Sequence, residues 1–84
     1  INEGAILVDV RTQEEYDEEH IDEAVLLPLD IIDEESVSQI VNDKDATIIV
    51  YCRSGKRSAE ALEKLEALGY TNVYDLGAMS NWKE

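Results

Sequence analysis

The stretch Thr47-Ile48-Ile49-Val50-Tyr51-Cys52-Arg53-Ser54-Gly55-Lys56-Arg57-Ser58 decides how this chain is read. Its first five residues form a nearly continuous β-branched run, the pattern of a strand covered on both faces. From Ser58 the spacing changes. Ala61, Leu62, Leu65 and Leu68 make one helical stripe, while Glu60, Glu63, Lys64 and Glu66 face water. Gly69 is placed to end that helix in a left-handed cap. The only cysteine therefore stands where a buried strand ends and a helix begins. Three of the seven basic residues lie within five positions of it, in a chain of net charge −13.

The same alternation extends in both directions. Ile6 to Val10 reads as a first strand. Thr12 to Glu18 reads as a short helix, with Thr12 and Glu15 spaced as a capping box. Val25 to Leu27 is a second strand, ended by Pro28. Val37, Ile40 and Val41 follow helical spacing, with Asp33 or Ser36 as the cap. Asn72 to Leu76 is a fourth strand, and Ala78 to Trp82 begins a last helix. Strand alternating with helix predicts an α/β domain with a mainly parallel sheet and right-handed crossovers. Ligands in such sheets bind beyond the carboxyl ends of strands, which is where Cys52 falls.

An anion at Cys52 would meet several donors. Backbone N–H groups of a tight loop leading into a helix converge, and the first helical turn adds unpaired N–H groups and the positive dipole end. Gly55 permits a turn that bulkier residues resist. Arg53, Lys56 and Arg57 supply positive charge, and Ser54 and Ser58 supply hydroxyls. A thiolate is the reactive form of cysteine, and this setting favours it, so a lowered thiol pKa is expected. The cradle suits a thiolate, a persulfide anion or an oxyanion above the sulfur. The competing reading is a buried core cysteine at a strand end. Four polar or charged residues and a glycine directly after Cys52 weigh against it.

Composition bounds the rest. The chain has 84 residues, enough for one domain, and 44% hydrophobic content argues against disorder. The net charge of −13 disfavours nucleic acid and anionic membrane surfaces as partners. One cysteine excludes an internal disulfide and leaves no cysteine cluster for a metal. One histidine, His20, gives a Cys–His protease weak support, and a packing role at a turn suits it better. Tyr16 and Trp82 read as core-capping aromatics. Asp33-Glu34-Glu35 reads as a solvated helix start. Asp9 and Arg11, at i and i+2 on the first strand, lie on one side of it and are expected to fix loop geometry.

The ordered set Val8-Asp9-Val10-Arg11, Glu15-Tyr16, His20-Ile21, Ala24, Pro28, the Cys52–Ser58 loop, Val73-Tyr74-Asp75-Leu76-Gly77 and Trp82 resembles the rhodanese, or sulfurtransferase, family. The resemblance implies a single rhodanese-like domain over residues 1–84, minimal or excised. It implies a central, mainly parallel sheet of four to five strands with helices on both faces. It also implies an enzyme in which Cys52 is the catalytic nucleophile, carrying sulfur as a persulfide. Arg53, Ser54, Gly55, Lys56, Arg57 and Ser58 would bind the substrate, with Asp9 and Arg11 as structural support. The implied partners are a small anionic sulfur donor and a thiol, cyanide or sulfur-carrier protein as acceptor. No metal or cofactor is implied, and the expected location is cytoplasmic.

Loop length bears on the rival enzyme class, a cysteine-dependent phosphatase or arsenate reductase. Four residues separate Cys52 from Arg57, and the phosphatases that resemble rhodaneses have one more. That spacing would place the partner at Ser58, which cannot clamp phosphate as a guanidinium does. The remaining alternative is a non-catalytic rhodanese-like binding module. Glu19, Glu23 and Ala78 stand where the family often has glycine, so the turns around them are expected to differ.

Overall fold

A computed structural model describes residues 5–41 and 43–81. The β-branched run becomes β3, Thr47–Cys52, and it pairs in parallel with strands on both sides. β1 is Ile6–Asp9, β2 is Val25–Leu26 and β4 is Asn72–Ala78. The strand order is β2-β1-β3-β4, parallel throughout. Helices α1 (Gln13–Glu18), α2 (Glu34–Ser38) and α3 (Lys56–Ala67) fill the three crossovers. Among the described residues the sheet has four strands, and no helix is long and apolar enough to cross a membrane.

The helix ends follow the local signals. Thr12 and Glu15 close a reciprocal capping box on α1, and Asp33 and Ser36 do the same on α2. α3 starts two residues before Ser58, because Gly55 takes the left-handed conformation (φ 95°) at its N-cap. It ends as its glycine predicts. Gly69 has φ 100°, its N–H donates to Glu66 O, and Tyr70 N–H donates to Leu65 O.

Two apolar clusters sandwich the sheet. Val8, Val10, Ile48, Val50, Cys52 and Val73 pack with Val37 of α2 and with Ala61 and Leu65 of α3. Leu7, Ile21, Ala24 and Tyr51 pack on the other face with Tyr16 of α1. The chain steps from β1 to β2 in one direction and from β2 through β3 to β4 in the other. With α1 on one face and α2 and α3 on the opposite face, the three crossovers share one hand. The reversal in strand order falls between β1 and β3, and a cleft bordered by Arg11 and Arg53 lies beyond their carboxyl ends.

The C-terminal end departs from the expected helix. Gly77 adopts φ 86°, a register shift lets Leu76 bulge, and Ala78 still pairs with Cys52. Pairing with β3 therefore extends the strand where a helix would otherwise start. A 3₁₀ turn over Met79–Asn81 follows, and Trp82 lies outside the described residues. No described non-glycine residue has positive φ, so Glu19, Glu23 and Ala78 hold their turns without left-handed strain.

Candidate active site

The carboxyl ends of β1 and β3 place two groups of residues side by side. Cys52 ends β3 and points into the α3 face of the sheet, where it is fully buried (0% exposed). Burial alone would make it a core thiol. The loop that follows turns back over it, however. Gly55 N–H donates to Cys52 Sγ at 2.9 Å, and Ser58 N–H lies 3.4 Å from the same sulfur. The Ser58 hydroxyl sits within the same turn, 3.0 Å from the Gly55 carbonyl. Desolvation pushes the thiol pKa up. Hydrogen bonds from the Ser58 N–H and hydroxyl and from the Gly55 and Ser54 N–H groups outweigh it, so the net direction is down.

Gly55 makes this arrangement possible. Its φ lies where side chains are disfavoured, and a Cβ there would stand 3.4 Å from Gly77 Cα. The bulged end of β4 is thus the floor against which the loop rests. The other loop residues divide by exposure. Arg53, Ser54 and Lys56 are exposed, Gly55 and Arg57 are half-buried, and Ser58 is buried.

Arg57 does not stand free at the loop mouth. Its Nη1 and Nη2 donate to Glu15 Oε1 and Oε2 at 2.7 and 2.9 Å, a bidentate pair between α3 and α1. The guanidinium and the Thr12 cap hold the Glu15 carboxyl down at about 2. Neither this partner nor the role of Tyr51 was legible from spacing. Glu15 reads locally as a capping residue, and Tyr51 as one more apolar residue of a strand.

At the carboxyl end of β1, Asp9 meets Arg11, two residues further along the chain. Arg11 Nε and Nη2 donate to the Asp9 carboxylate at 3.0 and 2.8 Å, and Arg11 is only 4% exposed. Nη2 also donates to the Glu19 carbonyl. His20 stacks on Tyr16, with ring centroids 3.7 Å apart, and its Nδ1 bonds the Tyr16 carbonyl at 2.8 Å. Among the described residues, no group of three or more His, Cys, Asp and Glu side chains could hold a metal.

A buried sulfur bonded by loop amides at a strand-to-helix turn is an anion cradle. The Rhodanese-like domain family matches residues 1–84. This chain belongs to that family. Thiosulfate sulfurtransferase PspE of Escherichia coli (strain K12) is 38% identical over 88% of this chain and 70% of its own length. Thiosulfate sulfurtransferase GlpE of Coxiella burnetii (strain RSA 331) is 35% identical over 93% of this chain and 71% of its own. Among solved structures, a rhodanese with anions from E. coli superimposes with a TM-score of 0.87 at 36% identity, covering 93% of this chain and 91% of that one. Other curated relatives are longer, and the rhodanese-like chain spans 45% of one and 19% to 21% of several.

Proposed function

We propose that this chain is a sulfurtransferase that moves sulfane sulfur from thiosulfate or another donor to a thiophilic acceptor through Cys52. The observation that carries the reading is the convergence of the Gly55 and Ser58 N–H groups on the Cys52 sulfur. Those donors stabilise a negative sulfur, first as thiolate and then as persulfide, at the N-terminus of the 12-residue α3.

The thiolate attacks the outer sulfur of thiosulfate. A Cys52 Sγ–S bond forms, the S–S bond of thiosulfate breaks, and sulfite leaves with the bonding pair. The acceptor, cyanide or a thiolate, then attacks the terminal sulfur. The new bond to sulfur forms as the Sγ–S bond breaks, and Cys52 returns as thiolate. Arg53 and Lys56, both exposed, attract the anionic donor, while Ser54, Gly55 and Ser58 line the cradle. Asp9 and Arg11 hold the floor of the crevice. Because Cys52 is fully covered, the exposed Arg53-Ser54 segment gives way to admit the donor.

Intact-mass measurement after thiosulfate treatment tests this. The expected result is a gain of one sulfur atom, reversed by cyanide and absent in Cys52→Ser. An unchanged mass, or full thiocyanate production by Cys52→Ser, would overturn it. The phosphatase alternative loses ground because both terminal nitrogens of Arg57 are taken by Glu15.

A further inference from the structure

Helix α3 begins without a side-chain cap. Its N-cap, Gly55, offers no side-chain acceptor, so the free N–H groups of the first turn need one from elsewhere. The Cys52 sulfur takes that place. It accepts from the N-cap amide at 2.9 Å and from the N–H of Ser58, the third residue of the helix, at 3.4 Å. The Ser58 hydroxyl only reaches back to the Gly55 carbonyl, which ties the turn to itself. Fraying of this turn would therefore loosen the donors on the sulfur.

Apart from the sulfur, one hydrogen-bonded side-chain tie among the described residues joins the turn to another element. Arg57 Nη1 and Nη2 donate to Glu15 Oε1 and Oε2 at 2.7 and 2.9 Å. Arg57 directly precedes Ser58, so this clamp holds the peptide that carries the Ser58 N–H. Glu15 is itself fixed, because its Oε1 accepts from Thr12 N–H at 3.0 Å in the α1 capping box. The side chains of Arg53, Ser54 and Lys56 are exposed and make no ion pair among the described residues. The loop thus has a free segment, Arg53-Ser54, and a pinned one. The pinned segment rests on Gly77 at Gly55, is clamped at Arg57, and carries both amides.

We propose that Glu15 is a positioning residue for sulfur transfer: through Arg57 it holds the first turn of α3, so that the Gly55 and Ser58 N–H groups stay on the Cys52 sulfur while Arg53-Ser54 yields to the donor. This rests on the sulfur-transfer reading at Cys52. Glu15 touches neither donor nor acceptor in the scheme. Its effect falls on kcat, because the charges that attract the donor belong to Arg53 and Lys56, and a loosened amide weakens support for the anionic sulfur only once the donor is in place.

The test uses Arg57→Lys, which keeps the positive charge and leaves the Thr12–Glu15 box untouched but replaces a two-pronged fork by a single ammonium. Thiocyanate formation from thiosulfate and cyanide should show kcat lower by roughly fivefold, with KM for thiosulfate unchanged. The pH midpoint of Cys52 alkylation by iodoacetamide should rise by roughly half a pH unit. Glu15→Gln should lower kcat to a similar degree. The double variant should be no slower than the slower single one, because both changes break one contact. A merely structural role would lower the urea midpoint while leaving kcat per folded chain and the alkylation midpoint in place, and that outcome overturns the proposal. So do losses that multiply in the double variant. If Glu15→Gln does not fold, Arg57→Lys decides alone. Absence of Cys52-dependent thiocyanate in the unaltered chain would sink the sulfur-transfer reading and this proposal with it. Active transfer, with kcat and the alkylation midpoint unmoved in Arg57→Lys, would sink the role of Glu15 only.

Discussion

The Tyr51 hydroxyl donates a 2.7 Å hydrogen bond to Oδ2 of Asp9, its register partner on the neighbouring strand. The Tyr51 hydroxyl oxygen in turn accepts from Ile21 N–H at 3.2 Å. Asp9 also receives Arg11, whose guanidinium lies 5.7 Å from the Tyr51 ring centroid. Side chains alternate along a strand, so Tyr51 points to the α1 face while Cys52 points to the α3 face. The residue before Cys52 thus anchors β3 to β1. The loop that cups the sulfur springs from a fixed point. Burial and the adjacent carboxylate raise the phenol pKa well above its ordinary value, so the hydroxyl stays a donor.

Tyr51→Phe tests the anchor. It removes one hydroxyl from a fully buried site and leaves Ile21 N–H and one face of Asp9 without a partner. The expected loss is about 1–3 kcal/mol. It should appear as a lower urea midpoint with an unchanged slope. An unaltered midpoint would mean that Arg11 alone satisfies Asp9.

Gly55→Ala tests the floor of the cradle. At φ 95° an alanine takes the left-handed conformation, a penalty of roughly 1–2 kcal/mol. Its methyl would meet the Gly77 backbone at ordinary contact distance, 3.4 Å, so the strain lies in the φ angle. Relief of that strain swings the Gly55 N–H away from Sγ. We expect lower stability together with slower alkylation of Cys52 by iodoacetamide at neutral pH. A variant that loses stability but alkylates at the original rate would show that this amide does not tune the thiol.

What the sequence disclosed about the fold was mostly local. The β-branched run before Cys52, the Ala61–Leu68 stripe, Gly69, the Thr12–Glu15 capping box and the Asp33 cap each act within a few residues, and each sits where its pattern implied. The parallel sheet followed from the alternation itself. Contacts decided by register across the fold were another matter. Asp9 meets Tyr51, and Glu15 meets Arg57, each pair 42 residues apart. No local spacing encodes such pairs, because they exist only once β1 and β3 lie side by side. The β4 bulge was hidden for the same reason. The sequence reads as a strand ending at Leu76, and only the shifted pairing of Tyr51 with Gly77 shows that it continues to Ala78.

Ser58→Ala separates side-chain from backbone control of the thiol. The Cys52 pKa is pushed up by burial and brought down further by hydrogen bonds, the Ser58 N–H and hydroxyl first among them. Alkylation rate against pH should therefore have its midpoint below the ordinary thiol value of 9.0. Loss of the hydroxyl leaves the Ser58 amide in place, so the midpoint should move upward without reaching that of an unstructured thiol. A midpoint that stays put would assign the whole effect to the backbone.

Acid titration tests the Glu15–Arg57 pair as a structural tie. The carboxyl is held at about 2 in the folded chain, against an ordinary value of 4.5, first by its hydrogen bond to Arg57. A depressed carboxyl pKa favours the folded state above the ordinary value, and that contribution is lost as the carboxyl protonates. The pair should therefore contribute fully above pH 4.5 and fade as pH falls toward 2. The Glu15 side chain is 19% exposed and that of Arg57 34%, so solvent trims the effect. We expect about 1 kcal/mol, the upper end for partly exposed pairs. Glu15→Gln cannot titrate. Its melting temperature should lie below that of the unaltered chain at neutral pH, and the gap should narrow steadily between pH 4.5 and 2. A gap that stays constant through that window would show that the carboxylate charge contributes nothing and that the side chain acts only by filling space.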